Sequence, residues 1–220
     1  QFLKHLPFYD LFVTTKSYNV HELMELGCPA VFFVDNGYDP HTHRPLALTT
    51  EEQKAIGGPV GFIGSYEKYR AESMLFLAHS GVPVRVYGNR WRRRSWLDHP
   101  NLSIEGKDAI GDDYARIICS FDINLHFLRR LNRDKQTTRS VEIPACGAFM
   151  LAERSDEHQR LFEDGEEAVF FSSNEELYEK IKYYLEHPEE RRRIAQAGLE
   201  RCRSSRYSNQ ERLRQVFLRI

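Results

Sequence analysis

The chain of 220 residues carries 31 Lys and Arg against 32 Asp and Glu, a formal net charge of −1, with 41% hydrophobic and 29% charged residues. This composition is ordinary for a well-packed globular chain, and it provides no global field to recruit nucleic acid or an anionic membrane, so any phosphate binding has to be local. No apolar run approaches the roughly 20 residues of a membrane span, and the opening QFLKHLPFYD lacks the basic start, long apolar middle and small-residue cleavage site of a signal peptide. The chain begins at Gln1, which reads as a processed or excised piece. Cys28, Cys119, Cys146 and Cys202 are scattered, with no CxxC pair. Three lie in apolar or helical contexts, so buried reduced thiols and a reducing, cytoplasmic setting are expected.

In chain order, DLFVTTK (10–16) and AVFFVDNG (30–37) are short β-branched or aromatic runs flanking the helical NVHELMELG, which makes one βαβ unit. DNGYDPHTHRP is a turn-rich connection, and TTEEQKAIGGP a short capped helix or loop closed by Gly-Gly-Pro. A second series of apolar runs follows: VGFIGS, PVRVYG, LSIEG, DINLHF, AFMLAE and AVFFSS. Helical patterns fill most of the gaps, in KYRAESMLFLAHSG, DDYARIICS, DEHQRLFEDG and NEELYEKIKYYLEHP. This alternation predicts an α/β fold with a Rossmann-like, doubly wound parallel sheet of about six strands. The tail from Pro188 predicts two amphipathic helices. Residues 47–220 thus suffice for one complete domain. Residues 1–46, with a single βαβ unit, are expected to be the end of a preceding domain.

Three of the strands end in glycine. GFIGS puts Gly64 and Ser65 at a carboxyl edge, before a helix containing Arg70, and the next two strands end at Gly88 and Gly106. Ligands of open α/β sheets bind at such edges, where backbone N–H groups and a helix dipole suit a diphosphate. Glycine also ends many strands for steric reasons alone. No GxGxxG or Walker A pattern occurs, which disfavours dinucleotide cofactors and ordinary ATPase chemistry. Glu142 precedes a Pro-Ala-Cys-Gly break and the buried strand AFMLAE. A carboxylate there can accept two hydrogen bonds from a ribose diol, or serve only as a helix N-terminal charge.

The stretch TRSVEIPACG, from Thr138 to Gly147, resembles the R-x-x-E-x-x-A-C-G segment of the CgeB-like (spore-maturation-protein-like) glycosyltransferases, which belong with the GT-B enzymes. The resemblance continues through LFEDGEEAVFFSSNEEL and the helix ending HPEERRRIAQAG. It also takes in VGFIGSYEKYR, DINLHF and the DNGYDP turn, so it covers roughly the whole chain. It implies two Rossmann-like domains facing a cleft, of which 47–220 is the C-terminal, donor-binding half and 1–46 the end of the acceptor-side domain and the crossing. It implies transfer of a sugar from a nucleotide-diphosphate donor to an acceptor, with Glu142 on the donor ribose and Lys107 near the nucleobase. Gly64, Ser65 and Arg70 would then lie near the diphosphate, with Gly88 and Arg139 also among the donor-binding residues. Retaining members carry E-x7-E, but counting back from Glu142 reaches Asp134 instead of Glu. Asp134 is therefore the candidate acid, beside Arg139 and His126 as the other candidate catalytic residues. His126 either sits by the donor sugar or packs at a strand end.

Charge building on a departing diphosphate needs helix N-termini and cations, and no metal or cofactor is expected because the chain contains no DxD. Arg70 and Arg139 are the candidate cations, surface pairing with neighbouring acids being the plainer role. Asp112 and Asp113 are expected to cap a helix. His41 and His43 lack a completing ligand cluster, so no metal site is expected there. Arg90 to Arg94 with Trp91 and Trp96 mixes basic and aromatic residues as nucleic-acid grooves do, but one short run in a neutral protein reads as a loop near the cleft. The rival reading is a noncatalytic nucleotide- or sugar-binding module of the same fold.

Overall fold

The computed structural model describes residues 2–91 and 95–219. The first unit is β1 (Phe12–Thr14), α1 (Asn19–Glu25) and β2 (Val31–Phe33), with the strands paired parallel, Phe12 opposite Val31. Leu6, Leu23, Cys28 and Val31 form its small core. The rest of the chain runs α2 (Thr50–Ile56), β3 (Gly58–Ile63), α3 (Lys68–His79), β4 (Val84–Tyr87), β5 (Leu102–Ile104), α4 (Asp112–Cys119) and β6 (Phe121–His126). It continues with α5 (Arg139–Ala145), β7 (Met150–Glu153), α6 (Asp156–Leu161), β8 (Val169–Phe171), α7 (Asn174–Glu186), α8 (Pro188–Ser204) and α9 (Asn209–Phe217).

The second sheet has the order β5-β4-β3-β6-β7-β8, all parallel. Strand order reverses between β3 and β6, so the topological switch point lies where those two neighbours end. Both faces are covered, which is why the strands read as near-continuous apolar runs. The pleat sends Phe62, Leu125 and Leu151 into one core with Met74, Leu77, Leu177 and Ile181. Ile63, Met150 and Ala152 point the other way, into a second core with Ile118, Val141 and Phe162. Serine and threonine start several helices: Thr49 and Glu52 form a complete capping box, and Ser155, Ser173 and Ser208 each accept from the backbone N–H three residues on.

Two features position the crossing segment. Tyr38 N–H donates to the Tyr207 carbonyl at 3.1 Å and Asn209 N–H to the Tyr38 carbonyl at 2.8 Å, pinning the chain after β2 to the turn between α8 and α9. The tail then lies against the first unit, with Arg219 over the Phe32 ring. The expected cap at Asp112 and Asp113 is corrected: Gly111 takes the N-cap position and both acids stand in the first turn of α4. Helix α5 lies outside the four helical patterns named between the strands, because Pro144 interrupts its sequence pattern. Among the described residues no helix is long and apolar enough to cross a membrane.

Candidate functional site

A cavity of about 240 Å3 opens where β3 and β6 end. Gly64 and Ser65 follow β3, Phe127 and Arg129 follow β6, Arg70 reaches in from α3, and Arg139 stands at the start of α5. Asp134, Thr137 and Thr138 come from the loop before α5. Lys16 and Asn36 cross over from the first unit. The lining thus holds four cationic side chains and one carboxylate.

The cations differ in how far they are committed. Arg70 is 6% exposed, and its guanidinium donates to the carbonyls of Ser65 and Phe127, each at 3.2 Å, and to the Tyr69 hydroxyl at 3.3 Å. It therefore ties the two strand ends together as well as facing the cavity. Arg129 is held at 2.9 Å by Glu67. Lys16 Nζ stands 2.5 Å from Asp134 Oδ1, and that carboxylate is almost wholly buried. Arg139 is different: its Nε is buried without a hydrogen-bond partner, and among the described residues no ion pair engages it. A desolvated donor with no partner is costly, which sets Arg139 apart from the paired cations of this cavity.

Beneath the cavity lies a buried polar layer. The His158 Nδ1 faces the Glu153 carbonyl at 2.7 Å, so Nδ1 carries the proton and Nε2 accepts from the Ser140 hydroxyl at 2.8 Å. Ser140 in turn accepts from the Thr137 N–H at 3.0 Å. His126 Nε2 meets Thr137 Oγ1 at 2.9 Å, while His126 Nδ1 has no partner among the described residues. The two rings meet edge to face at 5.0 Å. Burial pushes His158 down to about 4 and His126 well below the usual histidine range, so both are neutral. His126 is thus a fully buried residue that fixes the Thr137 end of α5 from below, and it does not line the cavity.

Glu142, one turn beyond Arg139, faces a different set of groups. The Tyr114 hydroxyl of α4 donates to its Oε2 at 2.7 Å, and His43 Nε2 of the crossing segment lies 3.7 Å from Oε1. The His43 ring stands edge-on to Tyr114 at 5.5 Å. His43 Nδ1 accepts from the Asp39 N–H at 3.1 Å, which leaves the proton on the nitrogen facing Glu142. Burial, reinforced by Glu142, holds Tyr114 well above the usual phenol range. Arg139 links the two sites, because its charge acts on His126 under the cavity and on Tyr114 beside Glu142.

The structure therefore brings Gly64, Ser65, Arg70, Asp134 and Arg139 together, and sets Glu142 in a neighbouring cluster. Gly88 packs against the loop: a Cβ there would lie 2.2 Å from the Gly64 carbonyl oxygen, and its φ of +133° also favours glycine. The exposed Lys107 uses its carbonyl to accept from the Gly88 N–H at 2.9 Å. Trp91, buried, donates its indole N–H to the Gly64 carbonyl at 2.7 Å. Arg92, Arg93 and Arg94, the centre of the basic-aromatic run, lie outside the described residues. Among the described residues no group of three or more His, Cys, Asp or Glu is placed to hold a metal ion.

The sequence pattern of the glycosyl transferase-like family matches residues 70–217. The chain belongs to that family. No curated protein matches it. Among solved structures, sucrose-phosphate synthase from Thermosynechococcus elongatus is similar at 14% identity over 99% of this chain and 61% of its own, with a TM-score of 0.70. HepE from Anabaena, in complex with UDP and glucose, is similar at 14% identity over 96% of this chain and 63% of its own, with a TM-score of 0.72. The C-terminal domain of a glycosyl transferase group 1 family protein (LpcC) from Francisella tularensis matches over its whole length and 79% of this chain, at 16% identity and a TM-score of 0.61. These likenesses fix the fold, the C-terminal Rossmann-like half of the GT-B glycosyltransferases. The chain spans less than two thirds of the first two proteins.

For this glycosyl transferase-like chain, the residues missed by sequence reasoning are Lys16, Asn36, Tyr114 and His43. Each lies far in sequence from the element it serves. Tyr114 has a signal in hindsight, since a tyrosine on the inner face of DDYARIICS needs a partner for its hydroxyl. Lys16 and Asn36 sit at the ends of DLFVTTK and AVFFVDNG, and only the tertiary fold carries them to the cavity.

Proposed function

We propose that this chain is the donor-binding half of a CgeB-like GT-B glycosyltransferase, which moves a sugar from a nucleoside-diphosphate donor to an acceptor without a metal or other cofactor. The observation that carries the reading is the partnerless, buried Nε of Arg139, standing in a cavity with Arg70, Gly64 and Ser65 at the switch point of the sheet. Bond breaking at the sugar loads negative charge onto the departing diphosphate. Arg139 and Arg70, held in place before the reaction, offset that charge at little reorganisation cost. Glu142 takes the ribose diol, with the Tyr114 hydroxyl and His43 setting its carboxylate, and the main chain near Lys107 meets the nucleobase. Asp134 faces the transferred sugar, while His126 supports Thr137 from below. That HepE was solved with UDP and glucose supports a diphosphate donor of this class.

Residues 1–46 are then the end of the acceptor-side domain, the acceptor is a glycan, protein or small molecule, and the setting is cytoplasmic. The Lys16–Asp134 pair favours a second reading, a noncatalytic nucleotide-binding module, because it occupies the acid at the E-x7-E position. The test is calorimetric titration with UDP, GDP, ADP and TDP, with and without magnesium. One diphosphate binding irrespective of magnesium, and lost in Glu142→Ala, supports the reading. A folded chain and a full-length protein that both ignore all four would sink it. Asp134→Ala in the full-length protein separates enzyme from module, since a module has no turnover to lose.

A further inference from the structure

Two of the four cysteines meet at the amino end of the sheet, opposite the donor cavity. Cys119 ends α4 and Cys146 caps the carboxyl end of α5. Both line a cavity of about 290 Å3 beside Pro45, Leu46 and Phe121. Cys119 Sγ lies 3.5 Å from the Cys146 carbonyl oxygen, which sets the two side chains side by side at the cavity wall. Cys119 is half-buried and reachable from the cavity, whereas Cys146 is buried behind it. The other two cysteines are apart from this pair: Cys28 sits in the small first core against the Ala30 carbonyl, and Cys202 is buried against the Val141 carbonyl.

We infer that Cys119 and Cys146 are a dithiol site that closes to a disulfide by exchange with small disulfides such as oxidised glutathione. The Cys119 thiolate attacks one sulfur of the small disulfide, forms a mixed disulfide and releases one small thiolate, which takes up a proton from solvent. Cys146 then loses its proton and attacks the Cys119 sulfur, expelling the second small thiol. Two protein thiols are oxidised and one small disulfide is reduced to two thiols, so atoms and electrons balance. The order follows from access and charge. Cys119 is the sulfur that solvent reaches, and the neighbouring Cys146 side chain pushes its thiol down. Hydrogen bonding to Cys119 and burial push Cys146 the other way, which suits the resolving thiol and makes closure the slow step.

The bond would join the carboxyl ends of the helices that carry Tyr114 and Glu142. On the donor-site reading, it therefore weakens nucleotide binding by disturbing their 2.7 Å hydrogen bond. The experiment treats the reduced chain with oxidised glutathione, reads intact mass and a peptide map on an acid-quenched portion, and measures UDP affinity on a native portion freed of glutathione. We expect a product lighter by two hydrogens, a Cys119–Cys146 linked peptide, and a UDP affinity at least about fivefold lower in the linked form. In Cys146→Ser, one glutathione should accumulate on Cys119. A stable adduct on wild-type Cys119 with Cys146 free, reaction confined to Cys28 or Cys202, or no reaction at all overturns the dithiol site. Linkage with unchanged UDP affinity overturns its effect on the donor site. A reduced protein that binds no UDP strikes at the donor reading alone, because the mass and the map stand without it.

Discussion

Lys16 and Asp134 stand 2.5 Å apart although 118 residues separate them in the chain. The lysine comes from the first unit and the acid from the loop that feeds α5, so one ion pair joins the two parts of the molecule at the edge of the cavity. Around it lie further links of the same kind: Ser17 to Glu157, Tyr18 to the Asn132 carbonyl, and Asp35 to Arg160 and Gln136. Asn36 donates to the Gln136 side-chain oxygen at 3.1 and 3.3 Å. The seam is polar and largely satisfied, and the cavity opens beside it.

Lys16→Met leaves the Asp134 carboxylate buried and unpaired. Its expected cost is roughly 3 kcal/mol in urea-induced unfolding. The double variant Lys16→Met with Asp134→Asn removes both charges and should recover most of that loss, which a double-mutant cycle reads directly. A single variant as stable as the parent would show that the pair is solvent-screened instead.

Arg139 and Arg70 should separate binding from stability. Arg139→Gln removes a cation with no partner to orphan, so unfolding should shift by less than about 0.5 kcal/mol. UDP affinity should fall at least about tenfold, since hydrogen bonds to charged groups contribute roughly 1.5–3 kcal/mol each. Arg70→Gln breaks its bonds to the Ser65 and Phe127 carbonyls, and should lower stability by roughly 2 kcal/mol along with affinity. Equal effects of the two substitutions on thermal unfolding would contradict this division.

The buried histidines give the fold a pH dependence of definite sign. Burial depresses the folded-state values of His158 and His126, so the unfolded chain binds protons first as pH falls. Their contribution is fully present above about 6.5 and is lost as pH drops toward 4. For His158 alone the loss reaches roughly 3 kcal/mol by pH 4. Urea midpoints measured from pH 7 to pH 4 should fall steadily, and the slope should flatten in His158→Gln. A midpoint constant across that window would mean that the pair is hydrated.

Tyr114→Phe deletes the donor to Glu142 and keeps the ring against His43. Donor affinity should drop roughly fivefold, the scale of one hydrogen bond that orients a carboxylate, with Glu142→Ala costing more. Titration of both variants with UDP gives the comparison, and Tyr114→Phe binding as tightly as the parent would leave Glu142 without need of an orienting group.

How much of this could be read from residues alone depended on distance along the chain. The six-stranded sheet was legible because each apolar run is bounded by its own turn and helix signals, as in VGFIGS before Lys68. The shared position of Gly64, Ser65 and Arg70 at one strand end was legible for the same reason. Helix α5 was hidden because Pro144 interrupts its pattern, and the proline also removes the N–H that would bond the Ser140 carbonyl. The division between the Arg139 cavity and the Glu142 cluster could not be read, since it depends on which side chains from α4 and the crossing segment arrive beside each. Gly88 shows the opposite limit: its place after the strand was evident, but its close contact with the Gly64 carbonyl is a matter of two loops meeting.

The indole of Trp91, bonded to the Gly64 carbonyl, also makes the loop at the donor cavity observable. The chain has two tryptophans, and Trp91 is 1% exposed while Trp96 is 42% exposed. Iodide should quench the emission of Trp96 and leave the blue-shifted emission of Trp91. What remains is a fluorophore whose only donor group is held by the backbone that a diphosphate would touch. On the donor-site reading, occupancy of the cavity should change that emission, without a label and in the unaltered protein.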